Sequence, residues 1–368
     1  MGRQIGRIAV VDDLRGLCII AVISTHAVLL FAPRIGYLRC DVLGPAFISC
    51  GGANFASLFI ANIQAVVVFA FISGLMIARH PKPSLTRQSV RLMIATAVGA
   101  ALTVVLSSVN TVDDEPLVRL VSPLPFSNPA ESFWRADPDW TDWARLVLGI
   151  EYLGIVTGRI DDVSAAWPPF WCIPWFIAGW LVLALARGLS HGWSAIVLAC
   201  ITAASLAVDD QGILTAMIAG YLVRPCISTV SEPTALVALA MGLTLALLPE
   251  ARSMPSDWLT WSPPRWLVPI WQTLAAGLIA VGYLNLAKPL AAIGLRWLGR
   301  NSIWIFCLHW PCLLVAGSAS IGAGVPWNVL IVISLALTAL PFCVAVITLW
   351  PCGHHNHRSE RGLYSREE

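Results

Sequence analysis

Averaged over windows of about 19 residues, the chain carries ten stretches apolar enough and long enough to cross a bilayer. They lie near 11–31, 59–79, 91–109, 170–187, 192–208, 212–230, 234–249, 266–287, 301–320 and 328–350. Each is read as a transmembrane helix. The expected fold is therefore all-α, a polytopic integral membrane helical bundle of about ten helices. The stretch 42–58 is also apolar, but Gly44, Pro45, Gly51, Gly52 and Asn54 interrupt it, which makes it a re-entrant or interfacial lead-in to the second span. A weaker apolar piece at 145–157 is read the same way.

Composition points in the same direction. The chain is 57% hydrophobic and 12% charged, with 17 Trp and a mean hydropathy of +0.75, far from the averages of soluble domains. Net charge is only +2 and no dense basic patch interleaved with aromatics occurs, so nucleic acid is not an expected partner. The first apolar run is preceded by Asp12, Asp13 and Arg15 and is not followed by a small-residue cleavage site, so it reads as a retained helix rather than a signal peptide.

Short-loop charge orients the bundle. Arg3, Arg7, Arg79, Lys82, Arg87, Arg91, Arg187, Lys288, Arg296, Arg300, Arg358 and Arg361 all fall on one side, whereas Arg34 and Arg39 are exceptions on the other. Both termini are expected in the cytoplasm, with 1–350 forming the transmembrane domain and 351–368 a cytoplasmic tail. Segment 110–169 would lie outside, where its ten acids outnumber four arginines. A connection of about 60 residues is long enough to be either a functional lid or a loosely ordered solvated cover.

The candidate chemistry begins with Arg15 and His26. Eleven residues at 100° each come to about 1100°, roughly 20° past three turns, so both side chains share a helix face about 16 Å apart. Ionisable residues in hydrocarbon usually line a substrate or ion path. The alternative is that Arg15 snorkels to the interface while His26 makes an interhelical hydrogen bond. A second polar group lies in span nine, where Ser302 and His309 are seven apart and share a face. His309 precedes Pro311, whose missing N–H releases a carbonyl near residue 307. Cys18, Cys200, Cys226, Cys307, Cys312 and Cys343 lie within apolar spans and behave as small hydrophobes. Cys40 and Cys50 could pair on the outer side. No metal-ligand spacing occurs. The tail residues Cys352, His354, His355 and His357 resemble a metal tract by composition alone.

These residues carry a resemblance. The Arg15 to His26 spacing is similar to the signature of the membrane acyltransferase-3 family, the multispan O-acyltransferases of bacterial glycans. Phe69-Ala70-Phe71-Ile72-Ser73-Gly74 resembles that family's aromatic-aromatic-x-x-Ser-Gly element. Arg87 and Arg91 resemble its cytoplasmic basic motif. Gly299-Arg300-Asn301-Ser302, continuing to His309 and Pro311, resembles its late Gly-x-x-Ser to His-x-Pro segment. The likeness covers about 10–350; Leu75 and Gln88 depart from the pattern. It implies a bacterial inner-membrane enzyme related to the O-acetyltransferases of nodulation factors and exopolysaccharides. Such an enzyme would move an acyl group, acetyl foremost, from cytoplasmic acyl-CoA to a hydroxyl of a glycan or lipid-linked saccharide, with acetyl-CoA a substrate and no bound cofactor or metal. In that scheme His26, Arg15 and His309 are catalytic, whereas Asp12, Ser73, Arg87, Arg91, Arg300 and Ser302 bind or position substrate. Asp12, about 40° off the face of His26, would orient Arg15. Membrane Arg, His and Asp would also suit a proton-coupled transporter. No inverted repeat or matched pair of broken helices speaks for one.

Overall fold

The computed structural model describes residues 2–31, 64–79, 85–108, 172–208, 212–223, 230–247, 266–287 and 293–326, with isolated positions 141, 144, 329, 332 and 333. Segment 42–58, the Cys40/Cys50 pair, nearly all of 110–169, most of the expected span at 328–350 and the tail from 351 lie outside the described residues.

Within the described residues the protein is helical throughout. In chain order the helices are α1 (Gly2–Phe31), α2 (Gln64–Arg79), α3 (Leu85–Ser108), α4 (Ile173–Gly188), α5 (His191–Val208), α6 (Ile213–Leu222), α7 (Glu232–Leu247), α8 (Leu267–Leu286), α9 (Ile293–Arg300) and α10 (Ser302–Gly322). Among the described residues α8 is the one helix long and apolar enough to cross a membrane by length and composition. Shorter apolar helical stretches include Gln64–Arg79, Ile173–Gly188 and Ser302–Gly317. Helix α6 stops at Leu222, well inside the expected 212–230, and 224–229 lie outside the description.

Helix α9 is an element the apolar windows pass over. Eight residues of mixed polarity do not fill a membrane-length window, and its hydrophobic side shows only at the helical period. Leu295 is buried while Trp297 and Arg300 are exposed. The helix crosses α1 where Gly16 meets the backbone and side chain of Leu295 and where Gly299 meets the backbone of Asp12. An ion pair from Arg296 Nε to Asp13 Oδ1 at 3.4 Å fastens the crossing.

Small residues let the other helices approach closely. Gly74 of α2 lies against the backbone of Met217 in α6, and Gly220 of α6 against the backbone of Phe71 in α2. Gly242 and Gly282 join α7 to α8 in the same way. Gly212, at φ +76°, begins α6 in a left-handed conformation, and a Cβ there would come within 2.9 Å of the Pro269 carbonyl oxygen. The core gathers on α1, α2, α4, α6 and α10, with Ile19, Ile72, Leu75, Leu183 and Trp310 essentially inaccessible.

Candidate functional site

Helices α1 and α10 run side by side in the same sense, since Arg15 meets Ser302 and, further along both helices, His26 meets His309. The two contacts are eleven residues apart on α1 and seven on α10. The long reach of the arginine side chain makes up the difference in rise.

Arg15 is held on three sides. Its Nη2 donates to Ser302 Oγ at 3.0 Å, its Nη1 lies 3.8 Å from Asp12 Oδ1, and its guanidinium sits 5.2 Å from the centre of the Phe69 ring. Ser302 is fully buried, so its hydroxyl serves as acceptor for a cation deep in the bundle. Asp12, 7% exposed, also accepts from Arg300 Nε at 3.1 Å. Asp12 therefore stands between two arginines. Arg91, exposed on α3, lies close enough to Arg15 for their charges to repel. Arg87 belongs to the same helix, but its side chain lies outside the described residues.

At the other end, His26 Nδ1 lies 2.7 Å from His309 Nε2. His309 Nδ1 in turn donates to the carbonyl oxygen of Phe306 at 2.7 Å. Trp310 meets the His26 ring edge-on, with centroids 5.7 Å apart and planes at 78°. His309 is buried, at 5% exposure, whereas His26 is half-buried. Helix α10 continues through Pro311, which cannot bond the Cys307 carbonyl.

Between the two ends lies an apolar cavity, walled by Cys18, Ile19 and Val22 of α1, Phe69 of α2, Phe176 of α4 and Phe306 of α10, among others, with Ser302 also on its wall. Cys18, Ile19 and Val22 fill the α1 face between Arg15 and His26. Apart from the Ser302 hydroxyl, the Trp180 indole N–H and the weak Cys18 thiol, the described lining side chains are apolar. The arrangement is an apolar space with a cation at one end and a paired imidazole beyond the other.

Not every expected residue joins it. Ser73 donates to the Phe69 carbonyl within its own helix at 2.9 Å and is not part of the cavity wall. Sequence reasoning passed over the Phe306 carbonyl, the Trp310 edge, Cys18 and Val22. Position on the Arg15 to His26 face was the available signal for the last two, and no sequence pattern announces a backbone carbonyl as a histidine's partner. Among the described residues no group of three His, Cys, Asp or Glu could hold a metal ion. No family model, curated protein or solved structure matches this chain.

Proposed function

We propose that the protein is a multi-pass enzyme of the bacterial inner membrane, with both termini cytoplasmic, that transfers an acyl group, acetyl foremost, from cytoplasmic acyl-CoA to a hydroxyl of a glycan or glycolipid. The observation that carries this reading is an apolar cavity walled by Ser302, which accepts from Arg15, and by Cys18, Ile19 and Val22 on the α1 face that leads from Arg15 towards the His26–His309 pair. The membrane setting is supported by the mean hydropathy, by the apolar helix α8 and by large apolar side chains exposed on several helices, among them Leu181, Trp193, Leu236 and Val237.

In the proposed reaction the anionic end of the donor meets the cationic end of the site, where Arg15 supplies a guanidinium suited to phosphate and Arg91, Arg87 and Arg300 add positive charge. The donor's arm lies along the cavity and brings the thioester towards His26. Neutral His26 takes the proton from the acceptor hydroxyl, the oxygen attacks the acyl carbon, and the thiolate leaves. The apolar wall suits acyl carbon. Among its described side chains only Ser302 and Trp180 carry groups that could meet the amides of a pantetheine arm, so acyl-chain contacts would contribute more than polar ones there.

One observation favours a second reading. Two imidazoles in hydrogen-bond contact inside a helical bundle are also what a proton-coupled transporter would use.

The deciding experiment is labelled acetyl-CoA added to purified protein in lipid nanodiscs, with a panel of free and lipid-linked saccharides. Wild type should place label on a saccharide, and His26→Ala should reduce transfer by roughly 10²- to 10⁴-fold. Label on the protein itself would indicate an acyl-histidine intermediate. Absence of any acyl-CoA binding, with His26-dependent proton flux in liposomes, would replace the enzyme with the transporter.

A further inference from the structure

The Phe306 carbonyl oxygen can only accept a hydrogen bond, so the His309 nitrogen 2.7 Å away, Nδ1, carries hydrogen. A neutral imidazole has one N–H, which leaves Nε2 of His309 as a lone pair. That lone pair lies 2.7 Å from His26 Nδ1, and two bare nitrogens do not approach so closely. Nδ1 of His26 therefore carries its hydrogen, and its Nε2 is the bare nitrogen. For two neutral rings, no other assignment makes both contacts hydrogen bonds.

The ring geometry agrees. The centroids are 4.9 Å apart and the planes differ by 19°. An in-plane hydrogen bond of this length plus two ring radii of about 1.1 Å gives nearly that separation, so the rings meet edge to edge along the N–H direction rather than face to face. Trp310 against His26 and Phe306 against His309, at 5.8 Å between centroids, hold both rings from turning. Flipping His309 would break its bond to Phe306.

We propose that His309 is a positioning residue that locks His26 in its Nδ1–H tautomer, making Nε2 of His26 the nitrogen that accepts the substrate's proton, and that His309 then shares the resulting charge. The catalytic half rests on the reading of His26 as the base. Once Nε2 of His26 takes the hydroxyl proton, its Nδ1 proton can pass to Nε2 of His309. The positive charge then sits on a ring whose two N–H groups are both bonded, one to Phe306 and one to His26. As the new ester C–O bond forms and the C–S bond breaks, the shift reverses and the leaving thiolate receives the proton from His26 Nε2. Proton and electron pairs balance without an oxidant or metal.

The test is ¹⁵N NMR of histidine-labelled protein in nanodiscs, with the His26 signals assigned by their loss in His26→Ala. The expected wild-type spectrum has a protonated Nδ1 and a bare Nε2 on His26. In His309→Ala, His26 should revert to the Nε2–H form that free imidazole side chains prefer, with kcat lower by at least about tenfold and the donor KM unchanged. His309→Gln, whose Oε1 can accept from His26 Nδ1–H, should retain the wild-type tautomer and recover part of kcat. A wild-type Nε2–H signal, or an unchanged tautomer in His309→Ala, overturns the proposal. An Nδ1–H tautomer lost in His309→Ala, in a protein that transfers no acyl group, upholds the positioning and overturns only the enzymatic reading.

Discussion

Asp12 shows how a residue can matter more for the fold than for the chemistry beside it. Its carboxylate lies 3.1 Å from Arg300 and 3.8 Å from Arg15, but Arg15 is also bonded to Ser302. Asp12→Asn therefore leaves the guanidinium pointed while removing a competitor for an anionic donor. The expected result is a loss of about 1–3 kcal/mol of stability from the broken charged hydrogen bond, read as a lower unfolding midpoint, with no rise in donor KM. Val22 is the opposite case. It lines the cavity on the face between Arg15 and His26, and Val22→Phe would fill part of that space. Donor KM should rise at least about tenfold while the His26 tautomer stays as in wild type, which separates a blocked cavity from a damaged base. At this scale the Arg15 to His26 face was legible because eleven residues close on three helical turns. The partners were not, since Ser302 and His309 lie 287 and 283 positions away in sequence and reach α1 through tertiary packing alone.

Among elements, α2 and α6 pack closely, with two glycines each facing the other helix's backbone. A methyl group at Gly74 would meet the carbonyl of Met217, which cannot swing aside as a side chain could. Gly74→Ala should force α2 and α6 apart and cost about 1–3 kcal/mol, measured by thermal or denaturant unfolding in detergent. Gly192, with nothing within 4 Å of an added Cβ, provides the control. Gly192→Ala should be neutral, or stabilise by up to about 1 kcal/mol through helix propensity. The resemblance gives Ser73, within Phe69 to Gly74, a substrate-binding role. In the structure Gly74 serves helix packing and Ser73 bonds its own helix. Helices α1 to α8 and α10 overlap the apolar windows, since long apolar runs have few alternatives to helix, although α1 begins at Gly2, ahead of its window, and α6 ends at Leu222. Helix α9 escaped because its order comes from Leu295 packed on Gly16 and from the Arg296 pair to Asp13, neither visible in eight residues of mixed polarity.

At the scale of the whole molecule, α5 and α7 present large apolar side chains outward, around a core that is itself apolar. Helix α7 turns Ala235, Ala238 and Gly242 inward and presents Leu236, Val237 and Met241 outward, at 60%, 56% and 52% exposure. Helix α5 does likewise, with Trp193 and Ile196 outward and Ser205 inward, bonded to Thr215 of α6 at 2.8 Å. Small and hydrogen-bonding residues inside with large apolar residues outside is the arrangement that hydrocarbon selects, because association there depends on close contact and interhelical hydrogen bonds rather than on escape from water. The two settings predict opposite responses to one substitution. In water, Val237→Lys would replace an exposed apolar side chain by a solvated one and leave stability within about 0.5 kcal/mol. In a bilayer, a lysine near the middle of a span costs about 2.5–3.5 kcal/mol in insertion, so the membrane-integrated fraction in a glycosylation or protease-protection assay should fall sharply. Ala238→Lys tests the inner face, where the added chain would also have to displace packed neighbours on α8, and should be worse than Val237→Lys. If Val237→Lys instead improves yield without detergent, the outward face of α7 meets water, and the cationic end of the site with its paired histidines would need a soluble chemistry to explain it.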